Sequence, residues 1–348
     1  YESLVNQNAG SDAYNVAIGF EAGHDLIQGL QNTLVGGFAG CKITSAQYNT
    51  SLGYQSLASN LIGDNNTALG FKALEDFVAD TDGHGNNTAV GASAMMNAST
   101  GTENTALGNL AMAGGVTTGN SNVALGHGAG YNISSGQDNT LVGTGTGDSI
   151  TSGARNTAVG FAALGTENAH GNNTAIGYAA LNTLDADAEG YNVAIGSNSG
   201  KLMTSGVNNS LLGYNSGAAM TTAIRSTLIG ASAGAAITTG GENTFIGYTT
   251  GQATTIGNKN VAVGGESLTT NVAGDCNVAI GIESLKVMTQ ASTADTFNTA
   301  VGHRSGIAVS SGVSNTLIGG RAGDELTTGD NNIIIGRQAQ ASAVDVDK

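Results

Sequence analysis

A five-residue motif, Asn-Thr-Ala-Val-Gly at Asn156–Gly160, recurs with small changes along the whole chain. It starts 19 times, at residues 15, 32, 49, 66, 87, 104, 122, 139, 156, 173, 192, 209, 226, 243, 260, 277, 298, 315 and 332. The step is 17 residues, apart from one of 18, one of 19 and two of 21. A fixed period of this kind specifies a repeat architecture in which each unit packs mainly on its neighbours. The 348 residues therefore read as one array, residues 1–348, rather than as several globular domains. Tyr1-Glu2-Ser3-Leu4 matches Ile282-Glu283-Ser284-Leu285, which directly follows a motif glycine, so the array opens in mid-repeat. It reads as a fragment of a longer chain.

Numbering each repeat from its Asn, position one is Asn in every copy except Ser226. Position two is mostly Thr, position four is always Ile, Val or Leu, and position five is always Gly. A short β-branched or apolar run closed by Gly predicts a strand ending in a turn. A second, weaker strand is expected at positions six to nine, as in Phe161-Ala162-Ala163-Leu164. A hydroxyl pair before Gly, as in Thr238-Thr239-Gly240, marks the second turn. Seventeen residues leave no room for a helix beside two turns. The fold class is therefore all-β, a parallel β-solenoid or β-roll of about 19 coils. Strands stacked about 4.8 Å apart would give a rod of roughly 90 Å. The absence of Pro fits a chain whose N–H groups must join a ladder. With 40% hydrophobic residues at fixed positions, the 55 glycines read as ordered turns rather than disorder.

Asn156 and Gly160 stand for two structural columns. A stacked amide can bond its equivalents in adjacent coils, or its own turn. The glycine allows positive φ or close backbone approach. Positions three and nine exchange volume. Where three is Leu or Phe, nine is Gly, as in Leu317 and Gly323; where nine is Leu or Met, three is Ala or Ser, as in Ala279 and Leu285. Four repeats are small at both, and only the last, Ile334 with Gln340, departs. The two positions are expected to fill one space. Moving the bulk from Leu317 to position 323 is then expected to be tolerated. Position four points away from position three, yet is invariably aliphatic. In a lone solenoid it would form a long apolar stripe. Self-association along the axis covers it; a wider coil that buries both positions is the alternative.

The Asn15–Gly19, Asn192–Gly196 and Asn277–Gly281 copies, all Asn-Val-Ala-Ile-Gly, resemble the repeats of trimeric autotransporter adhesin heads. The resemblance implies a left-handed parallel β-roll with three chains around one axis. The Asn-Thr-Ala-Val-Gly form also resembles repeats of bacteriophage tail-fibre proteins. The adhesin repeat is shorter than the 17 residues found here. The stacked coil itself rests on the period, not on the resemblance.

Composition excludes several classes. A net charge of −15 with only 11 Lys and Arg opposes nucleic-acid binding. No apolar run approaches the length of a membrane helix, so this segment is not expected to insert. The five His residues are dispersed, and no metal or phosphate-loop motif stands complete. No cofactor is implied. Two long coils are acidic. Asp80 and Asp82, beside Gly83, are weak calcium candidates without a full ligand set. Asp185, Asp187 and Glu189 cluster in the 19-residue coil; solvated acidic loops are the other reading of both. Cys41 and Cys276 lie too many coils apart to bond within one linear chain. Aromatics favour position six, where they either bind glycan faces or pack on adjacent coils.

The function expected is a non-enzymatic one: the structural or adhesive rod of an extracellular fibre, on a cell surface or a virion. Its partners would be copies of itself, as a trimer, and a glycan or surface-protein receptor. An ice-binding solenoid and a polysaccharide-active β-solenoid enzyme are the alternatives. Thr at position two is interrupted by Val and Ile, and no carboxylate pair marks an active site.

Overall fold

Each motif forms one three-residue strand at positions two to four, and each strand pairs with its equivalent in the next repeat. The computed structural model describes residues 1–10, 12–79, 81, 84–185, 188–290 and 292–341. These fall into two compact units, Tyr1–Asn172 and Asn173–Lys348. The first unit holds nine such strands, from Val16–Ile18 to Thr157–Val159. The second holds ten, from Thr174–Ile176 to Ile333–Ile335. All pairings are parallel and in register, as with Val16↔Thr33 and Ile18↔Val35 in the first unit and Val193↔Ser210 in the second. Each unit is a parallel β-solenoid, and no helix occurs among the described residues. Register survives the 21-residue steps, where Ala68 pairs with Ala89 and Ala279 with Ala300. Extra residues are absorbed outside the ladder. In the coil beginning at Asn277 they add a two-residue pairing, Gly274–Asp275 with Ala294–Asp295.

Position-one asparagines run up the interior of each unit. Asn49 is buried and receives the Asn66 N–H on its Oδ1 at 2.9 Å. Its Nδ2 donates to Asn32 Oδ1 at 3.2 Å and to the Gly63 carbonyl of its own coil at 3.0 Å. Asn156 follows suit: its N–H donates to Asn139 Oδ1 at 3.0 Å and its Nδ2 to the His170 carbonyl at 3.3 Å. The amide thus does both things the sequence allows, bonding the adjacent coil and its own last turn. Ser226 keeps the ladder with a hydroxyl, accepting the Asn243 N–H at 3.3 Å. The position-five glycines are required twice over. Gly160 has φ 135°. A Cβ on Gly213 would sit 2.5 Å from the Gly230 carbonyl oxygen of the next coil.

The second strand expected at positions six to nine is absent, and consecutive turns take its place. Phe161–Leu164 is turn throughout, with Ala162 at φ 51° and Leu164 at φ 52°. Bonds spanning three residues overlap along this run, from Ala22 N–H to the Gly19 carbonyl, His24 to Glu21, and Leu26 to Gly23. The remaining N–H groups reach adjacent coils, Phe38 to Phe20 at 2.8 Å and Gly40 to Ser56 at 3.0 Å. Left-handed non-glycine residues are strained and persist where surroundings over-determine them. Here inter-coil hydrogen bonds hold them, as from Gln55 to Gly37 and Leu57 to Ala73, and at position nine a buried side chain such as Leu57 adds to the hold. The strand expectation failed because position-by-position apolarity does not reveal alternating φ. The signal present was negative: among position seven, position nine and the last residue of each coil, Thr249 is the one β-branched residue, the type least tolerant of positive φ.

Positions three and nine do share one space, and neighbouring coils share it too. The nearest atoms to a Cβ built on Gly251 all belong to the Phe245 ring of the same coil. At Gly200, where position three is also small (Ala194), Leu181 of the preceding coil and Leu211 of the following one each lie 2.8 Å from that Cβ. A position-nine side chain therefore leans toward the next coil, and a position-three side chain toward the previous one. This explains the four coils small at both positions. Each stands between a filled position nine and a filled position three, where both neighbours lean inward. The opposite change needs no spacer: Leu34 is followed directly by Leu57. The expected exchange at Leu317 and Gly323 is corrected for the same reason. A Cβ on Gly323 would meet Leu317 Cδ2 at 3.0 Å, but also Ile334 Cδ1 of the next coil at 3.2 Å. The coils starting at Asn66, Asn173 and Asn277 are the longest, and each buries large residues at both nine and twelve. The pairs are Leu74 with Phe77, Leu181 with Leu184, and Leu285 with Met288.

Phe245 and Gly251 isolate the pairwise exchange, because the next coil carries Ala262 and Leu268. Phe245→Ala alone is expected to cost about 3–5 kcal/mol. Gly251→Leu alone overpacks, at about 1–3 kcal/mol. Together they recreate the next coil's arrangement, so a double-mutant cycle read by local hydrogen exchange should show favourable coupling of at least about 1 kcal/mol. Simple additivity would mean that the two positions do not share space.

Candidate functional site

With position three inside, positions two and four stand on the outer face of each sheet. Position three is buried at Leu34, Leu141, Ala194 and Leu317 alike. Position four is solvent-exposed at Ile18 (61%), Leu52 (48%) and Leu212 (47%). The wider coil that would bury both is therefore not formed. Neither position two nor position four carries a charge in any of the 19 copies, although the chain has 26 acidic and 11 basic residues. Strand geometry gives this strip a width of about 10 Å and a length of about 45 Å in each unit, on the order of 450 Å². The aliphatic position four makes up about half of it and position two, mostly Thr, the rest, and each unit has one such strip.

Beyond the position-five bend come the position-six aromatics. In the first unit Phe20, Tyr54 and Phe71 pack together with Phe38, which holds position seven. Phe20 meets Phe38 edge-on with centroids 5.2 Å apart, Phe38 meets Tyr54 at 5.8 Å, and Tyr54 stacks on Phe71 at 5.9 Å. Lys72 Nζ lies 5.8 Å from the Phe71 centroid. Such contacts favour the packing reading there. In the second unit Tyr178, Tyr214 and Tyr248 stand two coils apart and are more than half exposed.

Charged groups collect in the second unit. Lys286 Nζ bridges Glu266 at 2.5 Å and Glu283 at 2.7 Å, and Glu283 also takes Arg304 Nε at 2.6 Å. Lys286 and Arg304 hold the Glu283 carboxyl below the usual carboxylate range. The two carboxylates push the Lys286 ammonium above the usual lysine range. The sequence reading passed over this network; its signal was the position-seven column Glu266, Glu283, Arg304, Arg321. On another edge Glu242, Lys259, Asp275 and Asp295 line a polar cleft of about 380 Å³. Asp275 is occupied there by the Asn258 N–H at 2.6 Å, and Glu242 by Arg225 at 3.0 Å. Cys276 Sγ lies 3.2 Å from Asp295 Oδ1. Partial burial, and then Asp295, push its thiol up. Burial does the same at Cys41. Both cysteines are free, and raised pKa disfavours the reactive thiolate.

The calcium candidates Asp80 and Asp82 lie outside the described residues, as does Asp187. Asp185 and Glu189 are exposed. Among the described residues no three His, Cys, Asp or Glu side chains are grouped to hold a metal. His24 pairs with Asp25 at 2.7 Å, and His170 Nδ1 lies 3.9 Å from Oε1 of the buried Glu167. His127 and His303 both face solvent. Asn156, Gly160, Leu317 and Gly323 serve the coil itself, as described above. Comparison with known protein families and with curated proteins finds no significant match.

The charge network fixes a pH window. The lowered Glu283 contributes stability above its unfolded pKa, lost as pH falls through the folded value. The raised Lys286 contributes below its unfolded pKa, lost as pH rises through its own folded value. Local protection of residues 283–304 is therefore expected to be greatest between the ordinary glutamate and lysine ranges, and to fall in high salt. Glu283→Gln should flatten the acid side of that profile; an unchanged profile would show that the network contributes nothing measurable.

Proposed function

We propose that the chain is a structural and adhesive part of an extracellular fibre, built from several copies of itself and carrying a receptor-binding surface. The observation behind this reading is the exposed, uncharged strip of positions two and four. A chain of net charge −15 repels its own copies over most of its surface. The strip is free of that repulsion and wide enough to dock. Each such strip, on the order of 450 Å², supplies about half of the roughly 800 Å² per partner of a stable interface. Three copies sharing one axis would cover them, as the resemblance to trimeric adhesin heads implies, and the fibre would belong to a cell surface or a virion. A surface adhesin and a phage tail fibre both fit. No helix among the described residues is long and apolar enough to cross a membrane. The role is that of a scaffold and binder rather than a catalyst.

Light scattering on the eluting protein tests the self-association. A mass near three times 34.3 kDa is expected, and Leu52→Asp with Ile246→Asp should shift it toward the single chain. A parent chain that stays monomeric at micromolar concentration would overturn it.

A further inference from the structure

The position-six column of the second unit alternates large and small: Tyr178, Ser197, Tyr214, Ala231, Tyr248, Gly265. In-register pairing of the strands fixes that order along the coil axis. The three rings therefore stand two strand spacings, about 9.6 Å, apart. They are 54%, 57% and 64% exposed. Small residues, Ser197 and Ala231, stand between them, and beyond Tyr248 the column is open: a Cβ on Gly265 would meet nothing nearer than the Tyr248 carbonyl at 4.0 Å. In the first unit Phe20 and Tyr54 are also two coils apart, but the Phe38 ring fills the space between them.

The adjoining position-seven column adds a polar partner. Asn198 Nδ2 donates to Asn215 Oδ1 at 3.2 Å. The Asn198 Oδ1 is shielded from solvent and has no hydrogen-bond donor. Both amides line a depression of about 290 Å³ with Lys201, Leu202, Ala218 and Ala235. A buried acceptor left unpaired is costly, so a donor from outside the chain is favoured there.

We infer that this column is a carbohydrate-binding track for an extended chain of neutral 1,4-linked hexopyranoses lying along the coil axis. A pyranose offers an apolar C–H face and a rim of hydroxyls, which matches a tyrosine ring with its polar tip. Alternate sugars of a two-fold chain present the same face, at a spacing close to two coils. Each tyrosine takes one such face, and a sugar hydroxyl donates to Asn198 Oδ1 once that side chain turns outward. The position-six column itself carries no charge, and the chain's net charge of −15 disfavours acidic sugars. The inference deepens the receptor-binding part of the proposed function and rests on it for its biological setting.

Calorimetry of the full chain with cellohexaose and, separately, chitohexaose tests the track; tyrosine emission gives a second readout, since the chain has no Trp. At least one hexasaccharide is expected to bind, and its disaccharide far more weakly. Tyr214→Ala should weaken binding about tenfold, and Asn198→Ala by less. Tyr214→Phe keeps the ring and should bind like the parent, as should Tyr191→Ala, which alters the last residue of its coil. Failure of both hexasaccharides at millimolar concentration overturns the inference. So does undiminished binding by Tyr178→Ala/Tyr214→Ala/Tyr248→Ala, which would place any sugar or protein contact elsewhere. Light scattering on the same sample separates this outcome from a failure of self-association.

Discussion

The buried amide of position one is the interaction on which the rest depends. Along each unit an Asn side chain accepts the next Asn N–H and donates to the carbonyl that ends its own coil, as Asn260 does for Asn277 and Gly274. A polar group buried this deeply is tolerable only when its bonds are made. One slipped coil would strand several at once, at about 1–3 kcal/mol for each unpaired group. The column therefore fixes register more firmly than a three-residue strand could. The position-five glycine permits the approach it demands, because a side chain there would strike the next coil's carbonyl. A slip of one residue would also turn the aliphatic position four inward and position three outward.

Volume is the second constraint, and it acts between coils rather than within them. A Leu side chain is long compared with a rise of about 4.8 Å, so it occupies part of a neighbour's core. Leu181 and Leu211 both reach into the coil of Ala194 and Gly200, which is small because its space is already filled. Coils are thus not freely interchangeable units. Their order is set by the direction in which the core side chains lean.

Much of this was legible in the sequence. The period gave the coil, the Ile, Val or Leu at position four gave the strand, and alternation gave the two faces. Ala279 with Leu285 against Leu317 with Gly323 revealed the shared core. The run from position six to nine was misread, because Phe161-Ala162-Ala163-Leu164 has the apolarity of a strand while its alternating φ leaves no positive mark in residue type. The influence of Ile334 on Gly323 was hidden because comparison of repeats treats each coil alone. The spacing of Tyr178, Tyr214 and Tyr248 could be read from the sequence. Their exposure, and the unpaired Asn198 oxygen beside them, could not, since both depend on how the turns place side chains.

The faces divide the labour. The interior amides and core hold each coil to the next, the uncharged strip is the face we propose for other copies, and the tyrosine column beyond the position-five bend is the one we propose for a ligand. All three rest on the amide ladder, which native-state hydrogen exchange reads directly. The Asn260 N–H, bonded to Asn243 Oδ1 at 3.0 Å, should be among the slowest in the second unit. The Asn243 N–H, which meets the Ser226 hydroxyl at 3.3 Å instead of an amide, should exchange measurably faster. Position-one amides that exchange as fast as those of exposed turns would contradict a buried ladder as the structure's foundation.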